Sequence, residues 1–222
     1  MKRISHEWAE QVYERVTKLF EPPMLSDFLE DPFEALVVTI ISQNTNDLNT
    51  SRAFRNLRSL LGKVTPEKIL KADLRDLEEA LRIAGLYKNK SRVLKEIAQQ
   101  LVDRYGGDLW AILSKPLEEA RRELLSLRGV GYKTADVLLL FNAKKPVMPI
   151  DTHIMRVSKR MGLASVKAQY EDVRRALEDV FRGKDFFTLH LALINLGRRY
   201  CRARRPLCSE CPLNDLCPKV EV

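Results

Sequence analysis

With 222 residues, 45% of them hydrophobic and 31% charged, the chain has enough apolar material for one large or two small cores. Its 38 Lys and Arg against 30 Asp and Glu leave a net charge of +8, which favours polyanionic partners without choosing among DNA, RNA and a membrane surface. No apolar run reaches the ~18 residues of a membrane span, and MKRISHEWAE has charge with no apolar stretch behind it, so neither a spanning helix nor a secretory signal is expected, and a reducing cytoplasm is.

In chain order the apolar periodicity is helical. Asp31 and Pro32 open DPFEALVVTIIS as N-cap and first helical residue, and its almost unbroken apolar body predicts a buried helix. Thr65-Pro66 repeats that start signal, and LRDLEEALRIAG closes on Gly85 where a C-cap belongs. Leu94, Ile97, Leu101 and Tyr105 form a stripe stopped by Gly106-Gly107, and Leu117, Ala120, Leu124 and Leu127 form another. KTADVLLLFNA predicts a second buried helix, Asp151 caps THIMRVSKRMG, and Tyr170, Val173, Leu177 and Phe181 mark the next. No segment alternates with period two. The fold class is therefore all-α, with about ten helices and a C-terminal loop in which Pro206, Pro212 and Pro218 sit among cysteines.

LRGVGYKTAD, Leu127–Asp136, joins two of these helices. A nucleotide-binding P-loop needs Gly directly before its Lys and a strand leading in. Here Tyr132 precedes Lys133 and the lead-in is helical, so the stretch is a helix–turn–helix. Gly129 and Gly131 permit φ > 0 and close backbone approach, and the amides of Val130 and Gly131 at the start of the next helix suit a phosphate. Packing glycines in a helical hairpin give the same pattern.

Cys201, Cys208, Cys211 and Cys217 are the chain's only cysteines and crowd into its end. In a cytosolic chain such a cluster points to metal rather than disulfides, and four thiolates on one short loop suit tetrahedral zinc or an iron–sulfur cube. Arg198, Arg199, Arg202, Arg204 and Arg205 surround the first of them, a positive patch fit for phosphate oxygens or a solvated face.

The hairpin LRGVGYKTAD, then PIDTHIMRV, then the C-x6-C-x2-C-x5-C tail, in that order, resemble the endonuclease III family of helix-hairpin-helix DNA glycosylases. The resemblance runs from about Gln43 to Cys217. It implies two helical domains flanking a DNA cleft: a six-helix barrel with the hairpin at 24–145, and residues 1–23 with 146–222 as a cluster domain. The four cysteines would then hold a [4Fe–4S] cluster, and Arg202, Arg204 and Arg205 on the loop between the first two would meet the DNA backbone. Lys133 matches the family's nucleophile, whose amine displaces a damaged base at C1′ and forms an imine that permits β-elimination. Asp151 matches the assisting carboxylate. Because base flipping leaves a hole in the stack, Gln43 matches the gap-filling residue and Leu86 the wedge. His153 matches a histidine beside the lesion pocket.

Two positions depart from the family pattern. Arg128 stands where a Pro is usual, loosening the turn but adding a phosphate contact, and Asn46 stands where an Asp is usual. The implied protein is a monomeric bifunctional glycosylase and abasic-site lyase acting on double-stranded DNA with oxidised pyrimidines or abasic sites, in the cytoplasm at the nucleoid, without a membrane partner. Alternatives on the same scaffold are mismatch-specific glycosylases for thymine or adenine, alkylated-base glycosylases, and a non-enzymatic DNA-binding module. The joint presence of Lys133 and Asp151 weighs against the last.

Overall fold

The computed structural model describes residues 5–22 and 30–222, so the first residues of MKRISHEWAE and the expected boundary at 23–24 lie outside the described residues. Among the described residues there are twelve α-helices, two 3-10 turns and no strand. The chain separates into two compact units, residues 1–23 with 146–222, and residues 24–145.

The 24–145 unit is built on α2 (Pro32–Ser42), whose start is as expected: Asp31 caps it by accepting from the Phe33 and Glu34 amides, with Pro32 in the first turn. Leu36, Val37 and Ile41 on this helix are fully buried, each contributing roughly 1.5–3 kcal/mol of hydrophobic stabilisation. Packed around it are α3 (Asp47–Leu61) and α9 (Tyr132–Phe141). Next come α4 (Pro66–Lys71) and α5 (Leu74–Leu81), and a 3-10 turn, Arg82–Ala84, carries α5 to the left-handed Gly85 that stops it. The long α6 (Tyr87–Tyr105) buries Leu94, Ile97 and Leu101 against α4 and α5 and ends at the left-handed Gly106. One turn, α7 (Trp110–Leu113), leads to α8 (Leu117–Ser126).

In the other unit α1 (His6–Thr17) packs on α12 (Phe186–Arg199), which also carries α10 (Thr152–Arg160). The remaining helix, α11 (Tyr170–Val180), turns Val173 and Leu177 inward and leans on α10. The N-terminal helix reaches the cysteine loop directly. Trp8 Nε1 donates to the Leu216 carbonyl at 3.0 Å, and Arg15 donates to the Pro212 carbonyl and to Asp215. Four helices, α1, α3, α7 and α12, are not among those that the chain-order periodicity marked. The single turn α7 is too short to show a period, and α12 is apolar on most of its circumference, so no stripe stands out against a polar face.

Candidate functional site

The hairpin runs from α8 through Leu127 to α9, with Gly129 at φ +80°. Gly129 is required twice over: a side chain there is strained by the left-handed backbone, and a Cβ would collide with Val93 Cγ1 on α6. Gly131 differs from the expectation. Its φ of −92° is open to any residue, and a Cβ would meet no protein atom within 4 Å, so the protein itself does not demand glycine there. The Val130 amide donates to the Leu127 carbonyl at 3.1 Å, inside the turn. Gly131 is the N-cap of α9 and supplies no side-chain cap, so the exposed start of this helix rests on its backbone amides and positive dipole end. Lys133 lies in that first turn and is exposed.

A buried pair fixes the two helices of the hairpin. Arg121 on α8 and Asp136 on α9 form a bidentate contact at 8% and 0% side-chain exposure, and the Arg121 guanidinium also lies 5.2 Å from the Tyr132 ring centre. Arg128 is exposed at the turn, where its backbone amide donates to Gln100 and its guanidinium pairs with Glu96 at 2.9 Å. A phosphate at Arg128 therefore shares this guanidinium with Glu96.

Gln43 and Leu86 occupy two loops of the same unit. Gln43 is exposed at the C-cap of α2, followed by Asn44 at φ +58°, and Asn46 caps α3 by accepting from the Asn49 amide at 2.8 Å. Asn46 thus caps this helix in the place where the family has Asp. Leu86 is 59% exposed and adopts φ +50°, so it is a strained leucine displayed to solvent and not a core residue. Lys90, by contrast, is 3% exposed, and burial pushes its pKa below the ordinary lysine value.

In the other unit Asp151 is the N-cap of α10, its Oδ1 accepting from the Ile154 amide at 2.7 Å. The strand-like approach to Asp151 is held at three successive residues. Glu178 accepts from the Met148 amide at 2.9 Å, the Pro149 carbonyl accepts from His190 Nδ1 at 3.0 Å, and Tyr170 Oη accepts from the Ile150 amide at 3.2 Å. Glu178 is itself held by the buried Arg174. His190, to which the sequence assigned no part, therefore fixes the backbone that delivers Asp151.

His153 follows on α10 and is partly buried, seated against Gly197 of α12, where an added Cβ would stand 2.8 Å from the His153 Cβ. Arg156 Nη2 lies 3.1 Å from His153 Nδ1, within hydrogen-bond reach. Arg156 also donates to the carbonyls of Cys201 and Gly197, and Arg160 one turn later donates to those of Arg202 and Ala203. These two arginines tie α10 to the cysteine loop and went unnoticed in the sequence, although their spacing of four places them on one helix face.

Cys201, Cys208, Cys211 and Cys217 line one apolar pocket with Arg160 and Tyr200 at its wall. All four are partly buried and unbridged, and burial pushes the Cys211 and Cys217 thiols upward in pKa, with the other cysteines adding to the rise. Four thiolates around one pocket would suit a four-iron cube, one iron per thiolate. The Lys219 amide lies 3.4 Å from Cys217 Sγ, a donor of the kind that stabilises a ligating thiolate. Arg202, Arg204 and Arg205 are exposed on the loop between the first two cysteines, whereas Arg199 is paired with Glu21.

The site thus combines a glycine-turned helix-hairpin-helix, with a lysine at the helix start, and a loop of four clustered thiols. Residues 37–182 match the model of the HhH-GPD superfamily base excision DNA repair protein, and residues 201–217 match the iron–sulfur binding domain of endonuclease III. The endonuclease III of Sulfolobus acidocaldarius is 35% identical over 185 residues, covering 83% of this chain and 81% of that protein. That of Thermotoga maritima is 34% identical over 187 residues, covering 84% and 83%. The chain aligns with the protein of a solved non-covalent endonuclease III–DNA complex at a TM-score of 0.81 and 29% identity, over 98% of this chain and 97% of that one. A thermostable thymine-DNA glycosylase aligns at a TM-score of 0.82 but 20% identity, a likeness of fold alone. The chain belongs to the endonuclease III family of base excision DNA repair proteins. It is a DNA glycosylase and abasic-site lyase with a [4Fe–4S] cluster, and residues 201–217, which include all four cysteines, are the part that matches the iron–sulfur domain.

Proposed function

We propose that this glycosylase removes oxidised pyrimidines from double-stranded DNA and cuts the strand at the resulting site through a Schiff base on Lys133. The observation that carries the reading is the placement of Lys133: an exposed amine in the first turn of α9, directly after a turn whose Gly131 leaves room for a backbone or phosphate to approach. Two other lysines are weaker nucleophile candidates on access alone, since Lys90 is enclosed and hydrogen-bonded and the half-buried Lys145 donates to the Lys115 carbonyl. A solved relative, at 29% identity and a TM-score of 0.76, is a trapped endonuclease III–DNA covalent intermediate, which supports a nucleophile supplied by the protein.

The unprotonated Lys133 amine attacks C1′ of the extruded nucleotide, forming N–C1′ as the bond to the base breaks, and the base leaves with the electron pair and takes up a proton. Loss of the ammonium proton and opening of the sugar ring give the imine. Removal of a C2′ proton then expels the 3′ phosphate, and water releases the amine. Asp151 has the charge to stabilise the cationic sugar, with Oδ1 anchored by its helix and its approach held by Glu178, His190 and Tyr170.

In this reading residues 24–145 are the six-helix barrel domain with the hairpin, and residues 1–23 with 146–222 are the cluster domain. Arg128, Gly129, Val130 and Gly131 face phosphates, with Gly131 and the helix start doing more than the Val130 amide. Gln43 and Leu86 fill the gap, His153 lines the lesion pocket, and Arg202, Arg204 and Arg205 grip the backbone. The protein acts as a monomer, with no membrane partner; among the described residues no helix is long and apolar enough to cross a membrane. The test is a panel of lesion-bearing duplexes scored separately for base release and strand cleavage. Oxidised pyrimidines should give both. Base release from a thymine mismatch without cleavage, and none from oxidised pyrimidines, would contradict the reading.

A further inference from the structure

Lys90 is an unusual lysine. It lies in the first turn of α6, where the positive end of the helix dipole disfavours a cation, and it is 3% exposed. Enclosure of an ammonium is costly unless it is hydrogen-bonded, and here the bonds are specific. Its Nζ donates to the Ile41 carbonyl at 2.7 Å and to the Ala84 carbonyl at 2.9 Å. Ile41 lies in the last turn of α2 and Ala84 ends the 3-10 turn Arg82–Ala84, so one ammonium caps the C-terminal ends of two separate elements.

The positions of these carbonyls are informative. Gln43 stands two residues after Ile41, and Leu86 stands two residues after Ala84. Each loop contains a non-glycine residue in the left-handed region beside or at its displayed side chain, Asn44 at φ +58° and Leu86 at φ +50°. Such backbone persists only when its surroundings hold it. The Lys90 amide makes the ordinary first backbone bond of α6, to the Leu86 carbonyl at 3.0 Å, so Lys90 stands one helical turn from Leu86. A residue that bonds both loops immediately before their tips sets the spacing between the tips.

We propose that Lys90 is a positioning residue that locks the Gln43 and Leu86 loops in register, so that the two side chains enter the duplex together when a base is extruded. The proposal rests on the reading that Gln43 and Leu86 fill that gap. Lys90 itself touches no DNA. Its removal should matter where the enzyme must open a stacked duplex and hold the hole, and should matter little where the lesion is already outside the stack.

The experiment compares Lys90→Met with the wild type in single-turnover strand cleavage, on thymine glycol paired with adenine in a duplex and on thymine glycol in a single-nucleotide bulge. Thermal melts confirm that the variant is folded at the assay temperature. If Lys90→Met does not fold, Lys90→Gln, which retains a donor able to reach one carbonyl, is scored in the same way. The expected result is a loss of about ten-fold or more on the paired lesion, as for a charged hydrogen bond removed from a site that needs it, and less than about two-fold on the bulge. Combining the change with Leu86→Ala should cost little more on the paired lesion than Leu86→Ala alone, because both act through the same wedge. Equal losses on both substrates, or full multiplication of the two losses, would overturn the proposal and assign Lys90 to stability only. A wild-type protein that cleaves neither substrate would instead overturn the gap-filling and glycosylase reading on which it rests.

Discussion

Arg121 and Asp136 meet through two hydrogen bonds, Nε to Oδ1 at 2.6 Å and Nη2 to Oδ2 at 3.1 Å, joining the two helices of the hairpin three residues beyond Lys133. Both are buried, so the pair fixes the angle at which α8 enters the turn and α9 leaves it. Asp136→Asn keeps the shape but leaves the Arg121 charge uncompensated. It should lower unfolding stability by about 3–5 kcal/mol, measured in urea, whereas exposed pairs such as Arg182–Asp179 should change it by less than about 1 kcal/mol.

The two hairpin glycines should separate cleanly. Gly129→Ala meets Val93 and a left-handed backbone, and should destabilise the fold by about 1–3 kcal/mol in thermal unfolding. Gly131→Ala has protein space and an ordinary φ, so stability should stay within about 0.5 kcal/mol of the wild type. Its DNA affinity in a filter or anisotropy assay should nevertheless fall, because the added methyl occupies the approach to the helix start. Unchanged affinity would show that no phosphate comes close to Gly131.

Arg202, Arg204 and Arg205 are exposed, and the Arg202 guanidinium donates to the Arg199 carbonyl at 3.1 Å. If each arginine meets one phosphate, replacing one by Ala should flatten the log–log salt dependence of DNA binding by about 0.9. Single-turnover cleavage at saturating protein should remain. An unaltered slope assigns these side chains to a solvated face.

Much of this arrangement was legible in the residues because its signals are local. Asp31-Pro32, Thr65-Pro66 and Asp151 mark helix starts by side chains that bond the next turn, and each does so in the fold. What the sequence concealed is tertiary. Lys90 reads as one more charge in YKNKSRV, and only the meeting of α2, the 3-10 turn and α6 shows it enclosed between two carbonyls. Arg156, Arg160 and His190 likewise act on partners about 40 residues away. Gly131 misled in the opposite direction: a Gly-x-Gly turn suggests two special backbones, and one suffices.

Asp151 serves as helix cap and as carboxylate, and the two roles can be parted. Asn caps helices about as well as Asp, so Asp151→Asn should leave stability nearly unchanged in thermal unfolding. Without the charge, single-turnover base release should slow by about 10²–10³, the usual cost of losing one electrostatic stabiliser. A variant that unfolds more readily yet releases base at the wild-type rate would leave Asp151 as a cap alone.

The most direct test of the account is borohydride trapping of the imine on Lys133. Wild-type protein with an oxidised-pyrimidine or abasic-site duplex should give a covalent protein–DNA adduct on a denaturing gel, and peptide mapping should place it at Lys133. Lys133→Gln should abolish the adduct and strand cleavage while retaining much of the DNA affinity, because the Gly131 helix start and the arginines remain. An adduct that persists undiminished in Lys133→Gln, or one mapped to another lysine, would contradict the assignment of the nucleophile.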